Sequence, residues 1–349
     1  MKNINIILPY KETYNIKIAG AVSILVSQLS KLSFFKKKIK IFGSVSLKHP
    51  ITKNYYGVFK KKPFYFLSRT NYYLHLLNKI IKNETKNINE IHNRPQAAKF
   101  FLKKKPLCKN ILYFHNSPKE LRGSKSVKER LFLLNNLDKI VFVSEWCKRV
   151  FFNGLKIKIS YKAQVVYPGS NCLKKVPKKD NLIIFAGKLN YSKGYYIFLE
   201  AILKILSKHK NWKAKIIGDD PRLYHKKSHK NLEYTGWITH KQTMGIFTKA
   251  AIVTIPSLWE EPLGRTSIEA SSRGCATIIS KKGGLVETNN NGIFLVNTSK
   301  DDLFKNIEQL IINKKKRYAL MKNNLRNFKH TIKKTIYDID KIYKNILID

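Results

Sequence analysis

The sequence predicts an α/β protein of two domains, each built on a parallel sheet covered by helices. Three observations carry this. Short apolar runs bounded by polar turns alternate with stretches of helical spacing along the whole chain, which is the grammar of strand–helix–strand units. The chain has 349 residues, which suits two domains of about 150 residues each. Between the halves, PGSNCLKKVPKKD (Pro168–Asp180) holds two prolines, one glycine and four lysines with little apolar content, which is linker chemistry.

In chain order, Ile4–Leu8, Ile39–Phe42, Ile111–Phe114, Ile140–Val143 and Gln164–Tyr167 read as buried strands, and Ala19–Leu32 and Ser68–Ile81 have helical spacing. The second half repeats the pattern. Leu182–Phe185, Ala214–Ile217, Ala251–Ile255 and Thr277–Ile279 are strand-like, while Gly194–Leu206 and Thr266–Arg273 are helical. Beyond Asp301 the chain is Lys-rich and helical, with Leu303, Ile307, Leu310 and Ile311 on one stripe and a last helix around Ile332–Ile346. The expected division is residues 1–170, residues 171–330, and a final helix at 331–349 that returns to the first domain.

A content of 43% hydrophobic and 12% aromatic residues is enough for a sizeable core and excludes intrinsic disorder. The charge is unusual: 68 basic against 22 acidic residues gives +46, which calls for an anionic partner. The basic set is 58 Lys to 10 Arg, and such a Lys excess beside abundant Ile, Asn, Tyr and Phe equally fits compositional drift. Residues 1–170 carry 34 basic and 7 acidic residues, and 171–349 carry 34 and 15, so the first half is the more basic. Lys36, Lys37, Lys38 and Lys40, then Lys60–Lys62, then Lys103–Lys105 form clusters that read either as solvated loop charge or as contacts to an anionic membrane surface.

Cys108, Cys147, Cys172 and Cys275 have no CxxC spacing and no paired His cluster, so neither a zinc site nor a disulfide framework is expected. The apolar run at the start ends at Pro9, too short for a signal peptide, and no stretch approaches the roughly 18 apolar residues of a membrane span. A cytoplasmic protein, at most peripheral on the inner face of the membrane, is expected. A nucleic-acid-binding role would use basic residues interleaved with Tyr and Phe, but Arg is scarce and no helix-turn-helix, RNP or zinc-finger signature appears.

Two segments carry chemistry. In IPSLWEEPLGRTSIEASSRGCATIISKKGG (Ile255–Gly284) a strand ends, a polar loop follows, and Gly264-Arg265-Thr266 opens a helix containing Glu269. A helix amino terminus offers N–H groups and positive partial charge to a phosphate. Glu261 and Glu269, either side of the sharp loop at Pro262–Gly264, could face one cleft, where carboxylates would accept hydrogen bonds from sugar hydroxyls; alternatively Glu269 is a first-turn residue favoured by the helix dipole. In IIFAGKLNYSKGYYIFLEAI (Ile183–Ile202), Lys188 and Lys193 share one loop after a strand, where open α/β sheets bind ligands. Two cations there suit a diphosphate, although lysines are common enough in this chain to meet by chance.

AGKL followed by SKG, then IIGDD, YTGWI, PSLWEEPLG and IEASSRG with its KKGG echo resembles, in order and spacing, the retaining glycosyltransferases of family 4, group 1. The likeness is strong over Leu182–Val296 and thinner in the first half, where ILPYKETYNIKIAGAVSILVSQL, IVFVSEW, IHNRP and YFHNSP carry it. It implies the GT-B fold, two Rossmann-like domains facing each other across a cleft, with acceptor binding in the first and nucleotide-sugar binding in the second. It also implies that Lys188 and Lys193 bind the donor diphosphate together with the N–H groups of Gly264, Arg265 and Thr266. Glu269 would hold the ribose, Glu261 the donor sugar, and Gly236, Trp237 and Ile238 the base through backbone groups. Gly20 would admit the phosphates to the first glycine loop, and His115 would stand at the reacting sugar, with His92 a weaker candidate.

The reaction so implied transfers a sugar with retention from a UDP-, GDP- or ADP-linked donor to a glycan or lipid-linked acceptor of lipopolysaccharide type, without a metal or other cofactor. Lys188 stands where the family has Arg, which replaces a bidentate fork with a point charge. Arg265 stands where an apolar residue is usual, and either adds a phosphate contact or is merely exposed. A nucleotide-sugar epimerase on the same fold is the alternative. It would need an acid–base set of side chains, and none is evident in the sequence.

Overall fold

A computed structural model describes residues 3–45, 49–59, 68–85, 87–157, 160–220 and 226–348. The chain divides into two compact units, Met1–Pro168 with Lys333–Asp349, and Gly169–Ile332.

Unit 1 has seven parallel strands: β1 (Ile4–Ile7), β2 (Ile39–Val45), β3 (Tyr55–Phe59), β4 (Ile88–His92), β5 (Lys109–Phe114), β6 (Lys139–Phe142) and β7 (Ala163–Val165), in the order β3-β2-β1-β4-β5-β6-β7. Every pairing is parallel. Ile4, Ile6, Ile88, Ile91, Ile111 and Leu112 are buried, as expected for strands covered on both faces. The helices are α1 (Ala21–Leu32), α2 (Arg69–Ile80), α3 (Pro95–Lys104), α4 (Val127–Asn136) and α5 (Glu145–Phe152). Strand order reverses between β1 and β4, so the loops after these two strands and after β5 form the place where an open α/β sheet holds ligand.

Unit 2 repeats the plan with six strands, β8 (Asp180–Ala186), β9 (Lys213–Ile217), β10 (Leu232–Gly236), β11 (Ala250–Ile255), β12 (Ala276–Ser280) and β13 (Ile293–Leu295), in the order β10-β9-β8-β11-β12-β13. Its helices are α6 (Tyr195–Lys208), α7 (His240–Lys249), α8 (Arg265–Ser272), α9 (Lys300–Ile312) and α10 (Lys314–Arg326). Alternation along β8 supplies both faces of the sheet: Ile183 and Phe185 enter the core beneath α6 and α9, and Leu182 and Ile184 enter the core with Met244 and Phe247 of α7. On α6, Tyr195, Phe198, Leu199, Ile202, Ile205 and Leu206 recur at helical spacing and are all buried. Each such side chain stabilises the unit by about 1.5–3 kcal/mol. The reversal of strand order here lies between β8 and β11, which puts the loops 187–194 and 256–264 at the switch point.

The last helix, α11 (Ile332–Ile348), packs on unit 1 from Lys333 onward. Thr335 donates to the Tyr167 carbonyl at 2.7 Å, Asp340 accepts from Ser33 and from the Phe34 N–H, and Ile336, Ile339, Tyr343 and Ile346 form its buried stripe.

Residues 169–180, read from composition as a linker, are packed into unit 2. The Ser170 N–H donates to the His330 carbonyl, the Leu173 N–H to Ser272, and the Lys179 ammonium to the carbonyls of Phe247 and Arg273. A segment poor in apolar side chains is held here by its backbone and by one half-buried lysine. The lysine clusters also differ in kind. Lys36, Lys37 and Lys38 are exposed, Lys105 is buried with its ammonium on the Asn78 carbonyl, and Lys60–Lys62 lie outside the described residues.

Candidate functional site

The site in unit 2 is built by the two loops at the switch point and by α8. After β8 the chain turns through Asn190, whose Oδ1 accepts from the Lys193 N–H and from Ser192 Oγ. At Gly194 φ is +72° and a Cβ would lie 1.8 Å from the Pro256 carbonyl oxygen, so only glycine brings the Lys193 loop against the loop after β11. Leu258 N–H then donates to the Ser192 carbonyl at 2.9 Å, which ties the two loops together.

This close approach pairs Lys193 with Glu261. The ammonium lies 2.7 and 2.8 Å from the two carboxylate oxygens and 5.1 Å from the centroid of the Trp259 ring. Ser257 Oγ donates to the same carboxylate at 2.5 Å. Glu261 is 5% exposed, and these charge-assisted bonds fix its carboxylate in direction. The KKGG segment clasps this turn from outside, the Gly284 N–H donating to the Glu261 carbonyl at 2.7 Å and the Gly283 N–H to Glu260.

Glu269 lies on the first turns of α8 after Gly264, where φ is +97° and a Cβ would meet Leu285 at 2.3 Å. Its Oε1 accepts from Arg265 Nε at 2.7 Å and from His240 Nε2 at 2.9 Å. Burial pushes the Glu269 carboxyl up, but Arg265 and His240 together outweigh it and hold the group below the usual carboxylate range. Arg265 is half-buried and not exposed: its side chain lies folded back on Glu269, one helical turn away. Thr266 is half-buried beside it, and Lys188 projects into solvent. At the end of β10, Trp237 is 59% exposed, while Ile238 packs partly against the core beneath α7.

Unit 1 brings together residues that are far apart in sequence. His92, at the end of β4, lies 2.8 Å through Nδ1 from His115 Nε2 and 2.8 Å through Nε2 from Glu90 Oε1. Tyr343 of α11 donates to Glu90 Oε2 at 2.7 Å. Tyr113 stacks on both imidazoles, with centroids at 5.4 and 4.5 Å. Asn93, at φ +56°, accepts through Oδ1 from the His115 and Asn116 N–H groups, both at 3.0 Å. Glu90, His92 and Tyr343 are buried and His115 half-buried. Burial, followed by the neighbouring Glu90 carboxylate, raises the Tyr343 phenol well above its usual pKa.

Gly20, the candidate of the first glycine loop, is faced by a carboxylate of the chain itself. The space its missing Cβ leaves is filled by Glu12, whose Oε1 would be 2.6 Å from that Cβ. The same oxygen accepts from the Ser23 N–H at 3.1 Å and Ser23 Oγ at 2.8 Å. The chain's own carboxylate thus occupies the amino terminus of α1, which attracts any anion.

Sequence reading missed Ser257, Trp259, His240, Glu90, Tyr343 and Glu12. Ser257, Trp259 and Glu12 lie inside quoted motifs and Glu90 and His240 beside them, but no spacing announces a partner. Among the described residues no group of three or more His, Cys, Asp or Glu side chains is arranged to hold a metal ion, no two cysteines are joined in a disulfide, and no helix is long and apolar enough to cross a membrane.

Residues 174–327 match the family model described as glycosyl transferases group 1. The chain is 26% identical over 205 residues to the uncharacterized glycosyltransferase MJ1607 of Methanocaldococcus jannaschii, covering 54% of this chain and 49% of that protein. It is 22% identical over 228 residues to the lipopolysaccharide 1,2-N-acetylglucosaminetransferase of Salmonella typhimurium, covering 56% and 55%. The chain thus spans about half the length of the curated relatives it matches. Among solved structures, Anabaena HepE in complex with UDP and glucose superposes with a TM-score of 0.77 at 12% identity, over 97% of this chain and 99% of that one. Residues 174–327 are therefore similar to the group 1 glycosyl transferases, within a chain whose two Rossmann-like units have the GT-B fold.

Proposed function

We propose that the protein is a glycosyltransferase of the group 1 type that moves a sugar, with retention of configuration, from a nucleotide-diphosphate donor to a glycan or lipid-linked acceptor in surface-glycan synthesis. The observation that carries this reading is the pair of compensated carboxylates at the switch point of unit 2, Glu261 on Lys193 and Glu269 on Arg265 and His240. Carboxylates held ionised and aimed by fixed cations are suited to sugar hydroxyls. The complex of HepE with UDP and glucose supports a nucleotide-sugar donor, and the Salmonella relative supports a lipopolysaccharide-type acceptor.

In this reading the diphosphate meets Lys188, Lys193 and the N–H groups that open α8 at Gly264, Arg265 and Thr266. Glu269 holds the ribose, the backbone at Trp237 and Ile238 borders the base, and Glu261 accepts from hydroxyls of the donor sugar. Lys193 serves both groups: it fixes the Glu261 carboxylate in direction and turns toward the phosphate when donor arrives. Each charge-assisted bond is worth about 1.5–3 kcal/mol. As the glycosidic bond breaks, charge develops on the leaving diphosphate, and these cations stabilise it. The departing phosphate oxygen takes the acceptor proton, so the reading needs neither a protein base nor a metal. His115 of unit 1 is assigned to the reacting sugar.

The acceptor is assigned to the basic unit 1, which in this reading works as a peripheral protein on the cytoplasmic face of an anionic membrane. Phe34, Tyr337 and Ile348 are exposed around a groove of about 700 Å³ that Lys38, Lys341 and Lys344 also line, a pairing of apolar and cationic groups that suits anionic lipid. A panel of UDP-, GDP- and ADP-sugars, assayed for donor hydrolysis and for product with extracted lipid-linked glycans, tests the activity. Release of nucleoside diphosphate supports transfer. Recovery of an epimerised nucleotide sugar with no release would overturn it in favour of an epimerase.

A further inference from the structure

We infer that Glu90, His92 and Tyr343 are positioning residues that hold His115 in its Nε2–H tautomer and fix the orientation of its ring. The inference deepens the reading of His115 given above and rests on it.

The direction of each hydrogen bond follows from the one group that cannot donate. Glu90 is a carboxylate with both oxygens engaged: Oε2 accepts from Tyr343 and Oε1 lies 2.8 Å from His92 Nε2. His92 must therefore carry its proton on Nε2. In the neutral ring this leaves His92 Nδ1 as an acceptor, and the atom 2.8 Å from it is His115 Nε2, which must donate. His115 is thereby protonated at Nε2, and Nδ1 is its acceptor nitrogen. The Tyr343 phenol, held well above its usual pKa by burial and by Glu90, keeps its proton and stays a donor.

The rings are also fixed in orientation. Tyr113 lies within 15° of parallel to His92 and 13° to His115, and Asn93 holds the His115 backbone through its left-handed turn. Burial runs one way along the chain of contacts, with Tyr343, Glu90 and His92 enclosed and His115 at the accessible end. This is the logic by which a buried carboxylate orients an imidazole in acyl-transfer enzymes, lengthened by one ring. Its use here is electrostatic: negative charge on Glu90, passed through His92, raises the electron density of the His115 ring while positive charge grows on the sugar. No proton changes owner. Helix α11 contributes Tyr343, so the carboxy-terminal helix completes the network within unit 1.

The test uses the full chain labelled with 15N-histidine. Imidazole nitrogen spectra should report both His92 and His115 as Nε2–H tautomers, His115 being identified by its loss in His115→Asn. Glu90→Gln should shift His115 toward a mixture and lower kcat for hydrolysis of UDP-glucose, GDP-mannose or ADP-glucose by about 10- to 100-fold, with donor KM little changed. Tyr343→Phe, which keeps the buried ring, should act in the same direction more weakly and stands in if Glu90→Gln does not fold. An Nδ1–H tautomer at His115 in the wild type would overturn the inference. So would wild-type kcat in folded Glu90→Gln or Tyr343→Phe while His115→Asn is inactive. Full activity in His115→Asn would instead strike down the functional reading of His115 on which the inference stands.

Discussion

The two units solve the same problem, what to do with carboxylates at the mouth of a parallel sheet, in different ways. In unit 2 each is met by a cation: Lys193 on Glu261, Arg265 and His240 on Glu269. In unit 1 Glu90 is met by a phenol and an imidazole, and Glu12 by a hydroxyl and a backbone N–H. A carboxylate on a mobile ammonium can trade partners with an anionic ligand, whereas one inside a hydrogen-bonded network is committed to orienting its neighbours. Unit 2 is thus equipped to receive charge and unit 1 to aim a ring.

The largest effect should come from breaking the unit 2 pattern at its centre. Glu261→Ala removes the sugar contact and leaves Lys193 beside Trp259 with no counter-charge, so transfer should fall by about 10²–10³-fold or more, measured as nucleoside diphosphate release. Lys193→Ala is the reciprocal cut. It leaves a buried carboxylate without its cation, which should lower the melting temperature as well as the activity, while the exposed Lys188→Ala should lower activity with little change in melting.

Next in size is the glycine that admits Glu12. Gly20→Ala puts a Cβ 2.6 Å from that carboxylate and should displace it from the start of α1, costing about 1–2 kcal/mol by urea denaturation, the worth of a lost cap. An unchanged stability would mean that Glu12 does not cap the helix.

The comparison also predicts a pH dependence that belongs to unit 2. Glu269 has a lowered folded pKa because Arg265 and His240 outweigh burial, so the unfolded chain takes up its proton first as the pH falls. The stability it contributes is present above about pH 4.3 and is lost as the pH drops through the folded value. His330 is likewise lowered, by burial. As a base kept neutral, it contributes stability that is present above about pH 6.5 and lost as the pH falls below that. Urea midpoints from pH 8 to pH 3 should show an upper step that disappears in His330→Gln and a lower one that shrinks in Glu269→Gln. The smallest expected effect is at the surface: Phe34→Ser should weaken sedimentation with phosphatidylserine vesicles at low salt and leave donor hydrolysis unchanged.

How much of this was legible in the sequence differs between the units for a physical reason. The strands of unit 2 announce themselves as apolar runs, and its chemistry is compressed into two contiguous segments, so Lys193, Glu261 and Glu269 stand out without a structure. What the segments do not disclose is their mutual pairing, because the contact of Lys193 with Glu261 depends on Gly194 passing against Pro256. In unit 1 the network draws on positions 90, 92, 115 and 343, and no local pattern links a strand carboxylate to a tyrosine on the last helix. Glu90 shares its strand, INEIH, with Asn89 and His92, so the apolar pattern that marks the other strands is missing there. The segment Pro168–Asp180 does hold the point where the units divide, after Pro168, but its packing into unit 2 was hidden for a related reason: composition reports which side chains lack apolar surface, and says nothing of backbone groups that bind a neighbour.

The central claim is that the paired carboxylates of unit 2 belong to a nucleotide-sugar site, and a thermal-shift measurement with UDP, GDP and ADP tests it most directly. The account predicts that one of the three raises the melting temperature of the wild-type chain and that Glu269→Ala abolishes the rise. No shift with any of them, or an equal shift in Glu269→Ala, would contradict it.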